Sequence, residues 1–329
     1  MPSPSAPLGV TFASFQTLGL DAAITAARWA EELGYSSYWT AETVGPEAFS
    51  TLAAVSAAAP SLDLGTGVLA LQLRTPPLAA MAAATLQALQ PNREVLLGIG
   101  ISSPVVTSQW HGAPFDGSPL AHVREYIELV RQCLSGDAVT FQGDFYDVRR
   151  FRLGVRLGDR RPKIVLGALN ERMLRLGGEV ADGVLLNYLP ASLVPWSVEQ
   201  VRKGGSATIY AYVHVGVCER QNGIEYARRD LFSYAVVDSY ARNFERAGFA
   251  DEVAEIRERH SARDREGALA AVSDRMVDAI DVMGDVDHVC ATMKSYVDAG
   301  VEVPVVMPLP WGDDRLGVVK ATMEAAATT

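Results

Sequence analysis

The side chains able to do acid–base work in this chain are few and scattered. Glu42 lies between Ala41 and Thr43, where the apolar stretch Ser36–Thr40 gives way to a loop. A carboxylate at such a boundary orients a ligand, or donates a proton when desolvation raises its pKa, with a helix cap as the structural alternative. Ser103, in GIGISSP, offers a hydroxyl that binds or relays a proton but is a poor free acid near neutral pH. His111, in Trp110-His111-Gly112, places an imidazole beside aromatic surface suited to a flat substrate, or stabilises its own loop. His214 stands at the polar end of another apolar stretch, whereas His122, His260 and His288 fall in helix-like sequence and read as surface or packing residues.

Cofactor chemistry leaves weaker marks. No His, Cys, Asp and Glu residues recur at a metal-ligand spacing, so a catalytic zinc is not expected. A Walker loop is absent, and Gly98-Ile99-Gly100-Ile101-Ser102 has only the beginning of a dinucleotide fingerprint. The turn Gly167-Ala168-Leu169-Asn170 follows the apolar run Lys163–Leu166 and opens a helix whose apolar positions are Met173, Leu174, Leu176 and Val180. Free amides at a helix N-terminus can hold a phosphate there, although Asn170 reads equally well as an ordinary N-cap. The run Arg149, Arg150, Arg152, Arg156, Arg160, Arg161 and Lys163 either collects a flexible anionic tail or forms a solvated, salt-bridged face.

These groups need a frame, and the apolar pattern supplies one. Strands are expected at Leu8–Phe12, Ser36–Thr40, Leu62–Val68, Glu94–Ile99, Lys163–Leu166, Val184–Leu186, Thr208–Val215 and Val303–Met307. Helical stretches at Leu20–Leu33, Ala48–Ala59, Pro76–Leu89 and about Pro119–Leu134 separate the earlier ones. Two short strands are expected within Ala138–Val148, around Gln142-Gly143-Asp144, and a long, mainly helical region that includes Ile224–Ala247. The expected fold is α/β: one interrupted (β/α)8 TIM-type barrel over 1–329, with insertions at about 101–162 and, mainly helical, at about 216–284. A doubly wound open sheet is the competing architecture. In a barrel, the reactive groups gather at the carboxyl ends of the strands.

Charge and cysteines narrow the partners. With 29 basic against 39 acidic side chains and a formal charge of -10, no general field attracts nucleic acid or an anionic membrane. Three cysteines, Cys133, Cys218 and Cys290, are scattered and odd in number, which favours a reducing compartment. No charged n-region leads into an apolar h-region, and no apolar run is long enough to span a bilayer. The expectation is a soluble, cytoplasmic protein with neither nucleic acid nor membrane as partner.

Trp39-Thr40-Ala41-Glu42, LGTGV at Leu64–Val68, LLGIG at Leu96–Gly100 and GALNERMLRLGGEVADGVLLN at Gly167–Asn187 together resemble the luciferase-like flavin/deazaflavin oxidoreductases, most closely the actinobacterial coenzyme F420-dependent branch. The resemblance runs from about Leu8 to Pro308. It implies a TIM-type barrel, coenzyme F420 as cofactor with FMN as the alternative, and hydride transfer to or from an activated organic substrate, reduction being favoured. An FMN-dependent monooxygenase and a noncatalytic binding barrel are the other readings. It further implies a non-prolyl cis peptide at Gly67-Val68-Leu69 against the cofactor ring, ring contacts from Glu42, Thr43, Gly67 and Val68, and phosphate contacts from Gly167, Ala168, Leu169 and Asn170. Asn170-Glu171 replaces the Gly-Pro often found at these places, and Glu42-Thr43 replaces an acid followed by histidine. The sugar-phosphate dehydrogenase branch has a carboxylate where this chain has Ser103, so the resemblance does not extend to that branch's acid–base arrangement. Glu42, Ser103 and His111 are the catalytic candidates that remain. A homodimer packed through barrel helices is also implied, and alanine-rich helices would permit close approach.

Overall fold

The computed structural model describes residues 7–328. Eight parallel strands close on themselves: β1 Gly9–Thr11, β2 Ser37–Thr40, β3 Asp63–Thr66, β4 Val95–Gly100, β5 Lys163–Gly167, β6 Gly183–Leu186, β7 Thr208–Val217 and β8 Val303–Pro308. Closure is visible at β1, where Val10 lies opposite Tyr38 of β2 on one side and Val306 of β8 on the other. The fold is therefore a (β/α)8 barrel and not the open sheet. All eight expected strands are present, with ends shifted by a residue or two.

Each strand leads to a covering helix: α1 Leu20–Glu32, α2 Ala48–Ala58, α3 Pro76–Leu89, α4 Pro119–Leu134, α5 Glu171–Val180, α6 Val194–Gly204, α7 Val286–Asp298 and α8 Arg315–Ala326. Because helices cover the outside and side chains fill the inside, the strands read as unbroken apolar runs; every residue of β4 is buried. Trp39, Leu96, Val165, Leu185, Tyr210, Tyr212 and Val305 pack the interior. Trp39 and Tyr210 meet edge to face with ring centroids 5.2 Å apart.

Two excursions depart from the regular rhythm. After β4, α4 is the barrel's own helix, so the true addition is the antiparallel hairpin Val139–Gln142 and Asp147–Phe151. The Glu125 carboxylate of α4 accepts from the amides of Asp144, Phe145 and Tyr146 and ties the hairpin tip down. His122 stacks on Phe145 at 4.3 Å and bonds the Tyr146 hydroxyl at 2.8 Å, a packing role as expected.

The arginine run descends from this hairpin to the amino-terminal end of β5. Arg149 pairs with Asp147, while Arg160 and Lys163 share Glu94. Arg160 and Lys163 stand at the end of the barrel opposite the strand carboxyl ends, so that part of the run forms a solvated, salt-bridged face.

After β7 the chain builds helices Arg220–Ala235, Asp238–Phe244, Ala250–Ser261, Arg265–Ala270 and Asp274–Ile280 around their own apolar cluster. The helical stretch expected to include Ile224–Ala247 is divided in two: the β-branched pair Val236-Val237 intervenes, with Val237 extended at φ -95°, ψ 123°. The excursion ends in a strand and not a helix, because Val282–Gly284 pairs with Val215–Val217 of β7. No helix among the described residues is long and apolar enough to cross a membrane.

Candidate active site

At the carboxyl end of β3 the ladder to β4 is interrupted. Thr66 Oγ1 donates to the Gly98 carbonyl and accepts from the Gly98 amide, both at 2.8 Å, so one side chain replaces the sheet bonds. A Cβ on Gly98 would strike the Thr66 carbonyl, which fixes glycine there. Pairing resumes at Leu69 opposite Ile99. Between these points the Gly67–Val68 peptide is cis. The Tyr212 hydroxyl, projecting across the barrel from β7, donates to the Gly67 carbonyl at 2.8 Å and accepts from Thr11 at 3.2 Å. Val68 then lies half-buried against Gly100 and Gly167.

The loops beside this bulge carry the three catalytic candidates. Glu42 accepts from Arg74 through both oxygens, at 2.9 and 3.1 Å, and from the Ala48 amide at 3.4 Å. Arg74 also pairs with Glu47, the N-cap of α2. His111 is exposed, and its Nε2 lies 2.6 Å from the Thr43 carbonyl, so the loop after β4 touches the loop after β2. Ser103 turns inward on its own loop, its Oγ accepting from Val106 N and its carbonyl from Thr107. Glu42, Thr43 and His111 are thus brought together on one rim, with Ser103 spent on local structure.

Across the β5–α5 turn, Ala168 is buried and its amide bonds the Leu185 carbonyl, whereas Gly167, Leu169 and Asn170 are half-buried. Asn170 occupies the N-cap position but makes no capping bond; its side chain donates to the Ser239 carbonyl at 3.1 Å instead. The N-terminus of α5 therefore lacks a side-chain cap. Arg246 comes from the β7 excursion, stacks over Trp196 at 4.1 Å and reaches Asn170 Oδ1 at 3.5 Å. It has no carboxylate partner among the described residues.

The other half of the mouth holds a buried polar cluster. His214 is 2 % exposed and Asp281 fully enclosed. Its Nδ1 lies 2.9 Å from Asp281 Oδ1, and its Nε2 lies 2.8 Å from Asn187 Oδ1. Asn187 Oδ1 also accepts from the Tyr188 amide, which identifies it as the oxygen. Nearby, the Tyr188 hydroxyl donates to Asp230 at 2.9 Å, and Tyr188 itself sits at φ 49°, its carbonyl held by Asn243. Burial lowers the His214 pKa to about 4 and raises that of Asp281 to about 8. Burial is the main cause that raises the Asp230 pKa, to about 7.

A cavity of about 440 Å³ opens against this cluster, lined by Ser14, Tyr188, His214, Asp230, Tyr234 and Trp311 among others. A second recess, of about 550 Å³, lies far from the strand ends among the ion pairs of Glu252 with Arg275 and Arg259 with Glu255.

Sequence reasoning singled out His214 but missed Asp230, Asp281, Tyr188, Arg74 and Arg246. His214, Asp230 and Asp281 offer ligand atoms within 4.8 Å of one another although they are far apart in the chain, so no local spacing announces them. One signal was available: Asp281 stands alone in the apolar run Ala279-Ile280-Asp281-Val282-Met283.

Known proteins resemble this chain over nearly its whole length. A Mycobacterium tuberculosis protein assigned by name to the coenzyme F420-dependent oxidoreductases is 28% identical over 310 residues, covering 84% of this chain and 88% of its own. The 5,10-methylenetetrahydromethanopterin reductase of Archaeoglobus fulgidus is 28% identical over 300 residues, covering 87% and 89%. The structure of the coenzyme F420-dependent tetrahydromethanopterin reductase from Methanopyrus kandleri superposes with a TM-score of 0.79 at 21% identity, over 98% of each chain. Residues 8–302 match the luciferase-like monooxygenase family from end to end of the barrel's first seven strands and beyond, and the chain belongs to that enzyme family.

Proposed function

We propose that this chain is an F420-dependent oxidoreductase that reduces an activated organic double bond or carbonyl. The observation that carries the reading is the uncapped N-terminus of α5 with Arg246 beside it, at the end of a turn whose Gly167 packs against Val68 of the cis peptide. Free amides and a guanidinium suit the cofactor's phosphate, while Val68 over two glycines leaves a smooth apolar wall for a flat ring. The bound deazaflavin would supply a hydride. The chain's own residues then have three tasks. Gly167–Asn170 and Arg246 anchor the phosphate; Thr66 and Tyr212 hold the Gly67–Val68 wall in place; the aromatic cavity beside His214 orients the substrate and excludes water.

The Mycobacterium tuberculosis relative and the solved reductase named above favour the deazaflavin. The family description favours the second reading, an FMN-dependent monooxygenase using molecular oxygen. Equilibrium fluorescence titration of the purified protein with F420 and with FMN separates them. Submicromolar to micromolar F420 binding with weak FMN binding is expected; tight FMN binding without F420 affinity overturns the proposal.

A further inference from the structure

Hydrogen bonds at His214 admit two states of the cluster behind the cavity, an imidazolium–carboxylate pair or a neutral pair, and burial decides between them. Asn187 Oδ1 has no hydrogen to give, so His214 Nε2 must donate to it. A neutral imidazole then presents a bare Nδ1 to Asp281 Oδ1, and the hydrogen between them belongs to Asp281. The remaining oxygen, Asp281 Oδ2, is buried and has no partner, which penalises the ionised carboxylate further. Lowering of the His214 pKa and raising of the Asp281 pKa by burial agree with this neutral pair.

Asp230 is the carboxyl of the cluster that reaches the cavity wall. It packs against this pair and accepts from the Tyr188 hydroxyl through Oδ2. His214 projects from β7 two residues beyond Tyr212, about 6.6 Å farther along the strand, so the cluster stands one layer above the Tyr212–Gly67 contact. The ionisable groups facing Asp230 are Asp281 and His214 behind it, Tyr188 from the loop after β6, and Tyr234 and Tyr240 from the excursion, with Arg229 at the exposed edge of the cavity. Burial keeps all three tyrosines protonated at neutral pH.

We propose that Asp230 is the proton donor of the reduction, a carboxylic acid at the cavity wall backed by the neutral Asp281–His214 pair, and that the substrate is a conjugated carbonyl compound. This rests on the hydride-transfer reading above. The bound deazaflavin would supply the hydride for a new C–H bond at the β-carbon, the C=C pair then forming the enol double bond from the α-carbon while the C=O π pair goes to the carbonyl oxygen. That oxygen takes the Asp230 proton as the acid's O–H bond breaks; the enol relaxes to the ketone in water, and the carboxylate regains a proton from solvent. Tyr188, Tyr226, Tyr234 and Trp311 give the cavity the flat apolar walls such a molecule needs. A divalent cation is the competing occupant of the three ligand atoms, but both His214 nitrogens are already engaged in hydrogen bonds.

Infrared spectra of the cofactor-free protein test the protonation state directly. A buried carboxylic-acid band is expected at neutral pH, with one component lost as pH rises through about 7. Asp230→Asn should remove that component; Asp281→Asn, whose amide still donates to His214 Nδ1, should fold normally and retain it. With reduced F420 and cyclohex-2-enone, the wild-type rate should fall as pH rises through the Asp230 transition. Asp230→Asn should lose about 10²–10⁴-fold in turnover with a flat pH profile and unchanged F420 affinity. The proposal is overturned by absence of the band, by Asp230→Asn turning over like wild type, or by an F420-binding wild type that reduces no enone. It is equally overturned by tight Zn²⁺ or Mn²⁺ binding that both variants abolish. Failure of the cofactor reading shows itself separately, as absent F420 binding with the infrared band intact.

Discussion

Glu42 accepts two hydrogen bonds from Arg74 and one from the first amide of α2, so it ties the loop after β2 to the segment leading into α3. A carboxylate used in this way is an acceptor on both oxygens, which suits orientation of a rim better than delivery of a proton. Glu42→Gln keeps the shape and removes the charge, while Arg74 retains Glu47. Chemical denaturation should show a loss of about 1–3 kcal/mol, and F420 affinity should fall with it. Unchanged affinity and turnover beside a lowered stability would confine Glu42 to scaffolding. The sequence marked this residue by its place at a strand-to-loop boundary, but its partner Arg74 lies 32 positions away and leaves no local trace. Asp230 and Asp281 were hidden for the same reason: their environment is assembled by β6, β7 and the excursion together.

The strands were legible because each is buried on two faces and so reads as a short apolar run bounded by turns. The three-residue strand Val282–Gly284 was not, since it is shorter than any pattern and sits among helices. Its pairing with β7 is nonetheless what carries Asp281 to His214. The β5–α5 turn stood out in the sequence as a candidate phosphate site, whereas the cation proposed to act with it, Arg246, comes from the excursion after β7. Arg246→Ala removes one charge-assisted contact, worth about 1.5–3 kcal/mol, so F420 affinity should drop roughly ten- to a hundredfold and depend less on salt. Affinity for the same deazaflavin without its phosphate should not change. Equal losses for both ligands would place Arg246 in the architecture of the mouth and not at the phosphate.

At the scale of the molecule, the alanines that favour close helix packing are used inside the chain. Ala22, Ala23, Ala26, Ala27 and Ala30 of α1, and Ala79, Ala80, Ala83 and Ala84 of α3, are all buried within the barrel's own helix–strand contacts. What faces outward on α3 is a stripe of larger apolar residues: Leu78, Met81 and Leu89 are 45%, 46% and 56% exposed. These positions recur at helical spacing on the side away from the core. A homodimer that joins two such stripes would cover them symmetrically, and a stable one would bury more than about 1,000 Å². Sedimentation over a range of protein concentrations should therefore show a dimer for the wild type. Met81→Glu, which sets like charges against each other across the two-fold axis, should sediment as a folded monomer with its circular dichroism unchanged. A wild type that remains monomeric at every concentration rules the dimer out, and a Met81→Glu protein that still dimerises moves the contact to another face of the barrel.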